Sequence, residues 1–289
     1  MNATRITRPN ARFQQWEALL KNRTKRQRNR EFLVQGVRPI SQAMEHGWTI
    51  RALIFDADRS LSHWAKKVLA GADALGEPAK GEPAKGEPVE TVAMSADLIR
   101  QLGEKDAEAP ELVAVVELPE DDFDRIGVSP DFLGVVIDRP TMPGNVGSII
   151  RSMDAFGGAG VIITGHAADP YDPKAVRAST GSLFALPVVR TGSHREVLDW
   201  VAAHRERGVA IQVVGTDEGG EFDIAEVNLS GPTLLVVGNE TSGLSAGWRD
   251  AVDVMARIPI GGSASSLNAA NAASVAMYEA ARQRRVTPD

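Results

Sequence analysis

Apolar and polar positions along this 289-residue chain fall into short blocks that switch between helical and strand periods. Residues 13–20, Phe-Gln-Gln-Trp-Glu-Ala-Leu-Leu, carry apolar groups at helical spacing. Glu31-Phe-Leu-Val-Gln-Gly36 reads as a short strand stopped by glycine, 37–46 as a helix and the alternating run 50–55 as a strand. Residues 60–70 read as a helix with Leu61, Trp64, Val68 and Leu69 on one side, and all four are assigned to packing. A strand at 89–93, a helix at 96–102 and a buried strand at 112–116 complete the first half.

The second half is more regular. Continuous apolar runs at 132–138, 160–164, 187–190, 210–216 and 233–238 read as strands. Helical segments from Asn145, at 172–181 and at 196–207 lie among them, with Asn145 as the expected N-cap of its helix and Gly157 as its stop. Strands that are apolar throughout and alternate with helices predict an α/β fold with a parallel sheet covered on both faces. The acidic, proline-containing stretch 118–130 separates the halves, so the expected organisation is an N-terminal domain 1–120, a linker 121–130 and a second domain 131–289. Within the first domain, 76–88 repeats Gly-Glu-Pro-Ala-Lys and is expected to be a mobile surface loop.

Composition narrows the chemistry. Hydrophobic content of 43% and charged content of 24% are those of an ordinary globular protein. The absence of cysteine excludes disulfides, thiolate zinc sites and a cysteine nucleophile, and the five histidines show no metal-ligand spacing, so no metal is expected. No apolar run approaches the ~18 residues of a membrane span. The polar, basic start has no leader-like apolar core, so a cytoplasmic location is expected. A net charge of −6 argues against a nucleic-acid binder, but its distribution argues for one. Residues 1–30 hold nine Lys or Arg against the single acid Glu17, and six of those cations fall within 21–30. Such a basic arm repels itself unless a polyanion neutralises it; on charge alone, a solvated helix and an RNA contact weigh about evenly.

No G-x-G-x-x-G follows a strand, and neither a P-loop nor a G-x-S-x-G serine motif is present. Three other segments stand out. Asn145-x-Gly-x-x-x-Arg151 follows a strand, Gly238-Asn-Glu240-x-x-Gly243 ends one, and Ile258-Pro-Ile-Gly-Gly with Ser266-Leu-Asn268 leads into an Ala-rich helix. Two strand-to-loop transitions and a capped helix start make a small-molecule cleft. In this order and spacing the segments resemble the three motifs of the SpoU (TrmH-type) branch of the SPOUT RNA methyltransferases. The resemblance covers 131–286, includes Arg177-Ala-Ser-Thr-Gly181, and extends to 30–116 through Phe32-Leu-Val-Gln-Gly36-Val-Arg38, which is similar to the start of that family's RNA-binding N-terminal domain.

The resemblance implies transfer of a methyl group from S-adenosyl-L-methionine to a ribose 2'-hydroxyl, with ribosomal RNA favoured over tRNA. It also implies a trefoil-knotted C-terminal domain and a homodimer formed through that domain. The alternative is a non-catalytic RNA-binding protein of the same fold. By resemblance, Asn145, Arg151, Glu240 and Asn268 are the candidate catalytic residues. Thr216, Gly238, Asn239, Ile258, Ile260, Ser266 and Leu267 are the candidate cofactor contacts. Arg23, Lys25, Arg26, Arg28 and Arg30 of the basic run, with Arg38 and Arg177, are the candidate RNA contacts. Plainer readings stand beside these. Ile258 and Leu267 suit an ordinary core, Arg151 suits a salt bridge to Glu240, and Asn268 suits a helix cap. Arginine is a poor base at ordinary pH, so Arg151 is read as a donor fork on a substrate phosphate or ribose.

Overall fold

The structure, a computed structural model, describes residues 3–75, 88–103 and 109–286. Apart from Pro88, the Gly-Glu-Pro-Ala-Lys repeat at 76–88 lies outside the described residues. The chain divides into two compact units, Met1–Pro119 with Tyr171–Arg177, and Glu120–Pro170 with Ala178–Asp289. Residues 171–177, expected within the second domain by chain position, therefore group with the first unit.

The first unit runs β1 (Thr4–Ile6), α1 (Ala11–Lys21), α2 (Arg23–Asn29), β2 (Glu31–Gln35), α3 (Val37–Glu45), β3 (Ile50–Asp56), α4 (His63–Leu75), β4 (Glu90–Met94), α5 (Ala96–Leu102) and β5 (Leu112–Glu117). Its sheet has the order β1-β4-β3-β5-β2. Strands β1 and β3 run parallel to β4, while β5 is antiparallel to β3 and β2. Phe13, Trp16 and Leu19 of α1 pack with Leu33, Ile54, Val92 and Val113, so the helical spacing read at 13–20 becomes a core face. Strand β1 escaped the sequence reading because three residues cannot display a period; its pairing with Val92–Met94 defines it.

The basic run forms α2, where Asn22 Oδ1 accepts from Lys25 N at 3.1 Å as the N-cap. Arg23, Lys25 and Arg28 face solvent, but Arg26 is only 2% exposed. Its Nη1 donates to Leu19 O at 2.6 Å, and its Nη2 lies 3.5 Å from Asp172 Oδ2. The last carbonyls of a helix have no partner within it, and Arg26 supplies one for the end of α1. Arg26 is therefore corrected from RNA contact to internal brace. Arg30 is half-buried and donates Nη2 to Leu118 O at 2.7 Å, so it too is tied to the fold.

The second unit begins with a 3-10 turn (Phe123–Arg125), then β6 (Leu133–Asp138), α6 (Pro143–Ala155) and β7 (Gly160–Thr164). Next come α7 (Pro173–Ser179), which begins within the segment grouped with the first unit, α8 (Ser182–Ala185), β8 (Val188–Thr191), α9 (His194–Glu206) and β9 (Gln212–Thr216). The chain then forms β10 (Phe222–Asp223), β11 (Thr233–Val237), α10 (Ala246–Arg249), β12 (Val254–Arg257) and α11 (Ala269–Val286). The strand order is β10-β12-β9-β11-β6-β7-β8, with every pair parallel. All residues of β6, β7 and β11 are buried, as continuous apolar runs require when both faces are covered. Val136, Ile162, Leu234 and Val236 pack with Val197 and Val201 of α9. Val135, Ile137, Val161, Ile163, Leu235 and Val237 are also buried, and α6 and α11 lie against these strands.

Two boundaries differ from expectation. Helix α6 starts at Pro143, with Met142 in the cap position, so Asn145 is inside the first turn and is not the N-cap. Proline suits that first position because its missing N–H would have no helical partner. The expected stop holds: Gly157 has φ 72°, its N–H donates to Asp154 O at 3.1 Å, and Gly158 N donates to Met153 O at 2.8 Å. The apolar segment at Ile258-Pro-Ile is not itself a strand: the strand is Val254–Arg257, which leaves Ile258 and Ile260 in the loop beyond it. Elements α8, β10 and α10 span two to four residues and carry no readable period.

Replacing Arg26 by alanine strips the Leu19 carbonyl of its side-chain donor and Asp172 of a cation, and is expected to lower unfolding free energy by about 1–3 kcal/mol. Arg28→Ala on the exposed face is expected to change it by less than about 0.5 kcal/mol. Urea unfolding of the two variants makes the comparison; equal losses would contradict the assignment.

Candidate functional site

Strands β6 and β11 are parallel neighbours, with Val237 opposite Ile137, so the loops leaving their carboxyl ends run side by side. Side chains stitch those loops together. Buried Asp138 accepts from Ser245 N at 2.8 Å, from Thr164 Oγ1 at 3.1 Å and from Arg139 Nε at 3.1 Å. Arg139, at a left-handed φ of 52°, donates Nη2 to Gly243 O at 3.1 Å, and its own carbonyl accepts from Asn239 Nδ2 at 2.7 Å. Asn239 Oδ1 accepts from Thr241 N at 2.9 Å and Ser242 N at 3.0 Å, while the Asn239 and Gly243 backbones exchange hydrogen bonds of 3.0 Å. Gly238 is required by that closure. A Cβ there would come within 2.4 Å of Gly243 C and 2.5 Å of Leu244 N.

Glu240 is the centre of a second set of ties. Its Oε2 accepts from Thr141 N at 3.1 Å and Thr141 Oγ1 at 2.9 Å; its Oε1 accepts from Asn145 Nδ2 at 2.9 Å and Met142 N at 3.4 Å. The carboxylate thus sits at the amino end of α6, where unpaired N–H groups and the helix dipole favour an anion. Burial pushes its pKa up. The Asn145 amide, its own backbone N–H and the Thr141 backbone and hydroxyl together outweigh that and hold it below 4.5. Asn145 Oδ1 accepts in turn from Asn268 Nδ2 at 3.2 Å. Asn268 Oδ1 accepts from Ala270 N at 2.9 Å and Asn271 N at 3.4 Å, which caps α11.

Three of the four candidate catalytic residues therefore form one chain of hydrogen bonds, Glu240 to Asn145 to Asn268. Arg151 is not in it. It is exposed and makes no hydrogen bond or ion pair with the described residues, so the Arg151–Glu240 salt bridge does not form. Six residues after Asn145 on α6, it lies about 9 Å further along the axis and about 120° around it.

The carboxyl ends of β9, β11 and β12 and the start of α11 enclose a cleft of about 290 Å³. Ligands bind at this end of open parallel sheets because strand-end loops diverge there. Thr216, Gly238, Asn239, Ile258, Ile260, Ser266 and Leu267 all line it, as does Glu240; Asn145, Arg151 and Asn268 do not. Ile260 and Leu267 are 38% and 40% exposed, so the ordinary-core reading fails for Leu267. Asp217 and Glu218, directly after Thr216, and Arg249 also line the cleft and were missed from sequence. The two acids had a readable signal, being the first residues beyond a strand. Arg249 had none, since its Nη2 reaches Asp217 Oδ2 at 3.0 Å across 32 positions. Among the described residues no His, Cys, Asp or Glu cluster is arranged to hold a metal ion, and no helix is long and apolar enough to cross a membrane.

Comparison with known proteins gives a consistent result. Residues 133–278, half of the chain, match the SpoU rRNA Methylase family, and residues 10–114 match the SpoU L30e-like domain. The chain is 57% identical over 282 residues to a 23S rRNA (uridine(2479)-2'-O)-methyltransferase of Streptomyces viridochromogenes, covering 98% of this chain and 93% of the relative. The crystal structure of the SpoU methyltransferase AviRb of that organism, in complex with AdoMet, superposes with a TM-score of 0.88 at 56% identity, covering 97% of this chain and 100% of that one. An AdoMet-bound rRNA methyltransferase of Sinorhizobium meliloti superposes with a TM-score of 0.82 at 27% identity, over 99% of each chain.

Gly238→Ala is expected to force the Asn239–Gly243 closure apart and to weaken ligand binding in the cleft at least tenfold, read by calorimetric titration; unchanged affinity would contradict the role of the close approach. Glu240 has a pKa lowered on folding, so its contribution to stability is complete above the ordinary value of 4.5 and is lost as pH falls through the lowered value. The stability difference between the wild type and Glu240→Gln is accordingly expected to hold from neutral pH to about pH 5 and to shrink below it. Urea unfolding at each pH measures this, and a difference that grows with acidification would contradict it.

Proposed function

The chain belongs to the SpoU rRNA methylase family, and we propose that its cleft holds S-adenosyl-L-methionine for methylation of a ribose 2'-hydroxyl in ribosomal RNA. The reading rests above all on one observation. The loops after β9, β11 and β12 and the start of α11 close around one cleft, and the Asn145 segment is tied to it through Glu240. The cleft suits that cofactor on its own chemistry. Val237, Ile258, Ile260 and Leu267 offer apolar wall for a purine, and the 238–243 loop offers backbone polar groups. Asp217, Glu218 and Glu240 outnumber Arg249 among the charged lining groups, a balance that favours a cationic ligand. When bound, the cofactor supplies an electrophilic methyl group on a sulfonium.

The side chains around the cleft do the rest. Glu240, Asn145 and Asn268 hold the strand-end loop and both helix starts in one geometry, and positioning supplies much of the rate of an in-line transfer. The 2'-oxygen must give up its proton, to a neighbouring RNA phosphate or to water, as it takes the methyl group. A guanidinium is a poor acceptor for that proton; the planar fork of Arg151 is suited to pinning an RNA phosphate beside the attacking oxygen. Exposed Arg23, Lys25, Arg28, Arg38 and Arg177 provide the phosphate contacts of the first unit.

The finer expectations belong to the same reading. Homodimerisation through the second unit is supported by a stripe on α11 in which Val275 and Tyr278 are 39% and 54% exposed. The trefoil knot is implied by the resemblance to the SpoU branch; strand order itself places β11 between β9 and β6, with α11 against α6. A cytoplasmic site of action follows from a ribosomal substrate.

Labelled S-adenosyl-L-methionine offered with total rRNA and, separately, total tRNA tests the reading. Incorporation into rRNA is expected, and incorporation into tRNA alone would move the substrate to that pool. Arg151→Ala is expected to lower kcat/KM by about 100-fold or more while cofactor affinity is unchanged. Absence of both transfer and cofactor binding in the wild type would favour the non-catalytic RNA-binding alternative.

A further inference from the structure

The first unit contains a second, polar cavity of about 380 Å³, formed wholly by its own residues. Two ion pairs frame it. Arg12 Nη2 donates to Glu90 Oε2 at 2.7 Å, and Arg51 Nη2 lies 2.7 Å from Glu117 Oε2. All four side chains are between 32% and 40% exposed, so the ring they make is open to solvent and to a ligand. Arg51 reaches its place at a register shift in β3 between Ile50 and Ala52, an irregularity of the kind that re-aims a side chain.

Glu31 is the odd carboxylate in this ring. It lies directly opposite Glu117 across β2 and β5, yet one of its oxygens, Oε2, is buried with no hydrogen-bond partner. Burial pushes its pKa up despite the nearby Arg12 and Arg51 guanidinium groups. A buried acceptor without a donor calls for a ligand, an ion or water to complete it. What Glu31 Oε2 lacks is a hydrogen-bond donor.

The cavity is lined by Asn29 and Arg30, the last residues of the basic run, and so adjoins in sequence the exposed Arg23, Lys25 and Arg28 of α2. We propose that this cavity receives an unstacked guanine of single-stranded RNA, with the Glu31 carboxylate accepting from the base's N1–H and N2 amine and the flanking guanidinium planes stacking on the ring. Single-stranded bases are recognised by hydrogen bonds to their Watson–Crick edge and by stacking on arginine planes. A carboxylate meets the paired donors of guanine as it meets the fork of arginine. Adenine offers an acceptor at N1 where guanine offers a donor, so Glu31 selects between the purines. The proposal rests on the reading of the first unit as RNA-binding.

The test uses the full chain and three single-stranded RNA oligonucleotides of adenosine and uridine that differ at one central position: guanosine, inosine or adenosine. Affinity is read by fluorescence anisotropy over a range of salt. The wild type is expected to prefer guanosine to adenosine by about tenfold, with inosine between, since it keeps N1–H and loses the amine. Glu31→Gln is expected to remove the preference without lowering the urea midpoint, and to leave the salt slope and the affinity for S-adenosyl-L-methionine unchanged. Arg28→Ala is expected to weaken all three RNAs alike and to reduce the salt slope by about one. A wild type that binds all three equally, or a Glu31→Gln protein that still prefers guanosine, overturns the proposal. Equal binding together with saturable uptake of free arginine also overturns it and gives the cavity to a protein side chain. If no RNA shows salt-dependent binding and Arg28→Ala changes nothing, the RNA-binding reading of the unit falls, and the guanine site with it.

Discussion

The carboxylate of Glu240 at the amino end of α6 is the constraint on which the second unit's cleft depends. A helix start leaves N–H groups without partners, and α6 has no capping side chain of its own at Met142. Glu240 arrives from a loop 98 residues later and accepts from Thr141, Met142 and Asn145. One acid therefore caps a helix, fixes the loop after β11 and, through Asn145, reaches the cap of α11. The hydrogen bonds it receives exceed its desolvation, which is why its pKa falls although it is partly buried.

Parallel strand order makes that tie possible. Because β6 and β11 are neighbours in register, both polypeptide exits lie at the same carboxyl end of the sheet, and Asp138, Arg139 and Asn239 join them over a few ångströms. Next door, β9 and β12 add their own exits, so the cleft forms where three strand ends and the start of α11 meet. Glycine at 238 lets the loop fold back on its own backbone, and the space beyond the fold is the cleft. The same arrangement leaves Arg151 facing solvent, where a guanidinium without an internal partner is available to a polyanion.

The first unit uses arginine in two ways. Arg26 and Arg30 donate to backbone carbonyls and hold α2 against its neighbours. Arg23, Lys25 and Arg28 of the same short run keep their charge in water. The run's composition signals a polyanion partner, but a helix has an inner face, and the residues on it are spent on the fold. Glu31 inverts that pattern, since the fold surrounds it with charged groups and still leaves one oxygen without a donor.

Sequence by itself determined the elements whose period is long enough to read. These are the continuous apolar strands, the helices at 13–20 and 196–207, the stop at Gly157 and the parallel α/β class. It also pointed to the glycine-rich loops after β11 and β12 that line the cleft, whereas the Asn145 segment grouped with them does not line it. Only the tertiary structure decided the partners. Asn145 looked like a cap because Asn often is one, yet Pro143 takes the first helical position and Glu240 supplies the anion. Arg26 looked like its neighbours because charge along the chain does not reveal which face of a helix is buried. Thr4–Ile6, Phe222–Asp223 and Arg249 became meaningful only through pairing across the sheet or the cleft. Period and composition are local properties that a chain carries unfolded, whereas a hydrogen bond between residues 98 or 123 positions apart exists only once the strand order has brought them together.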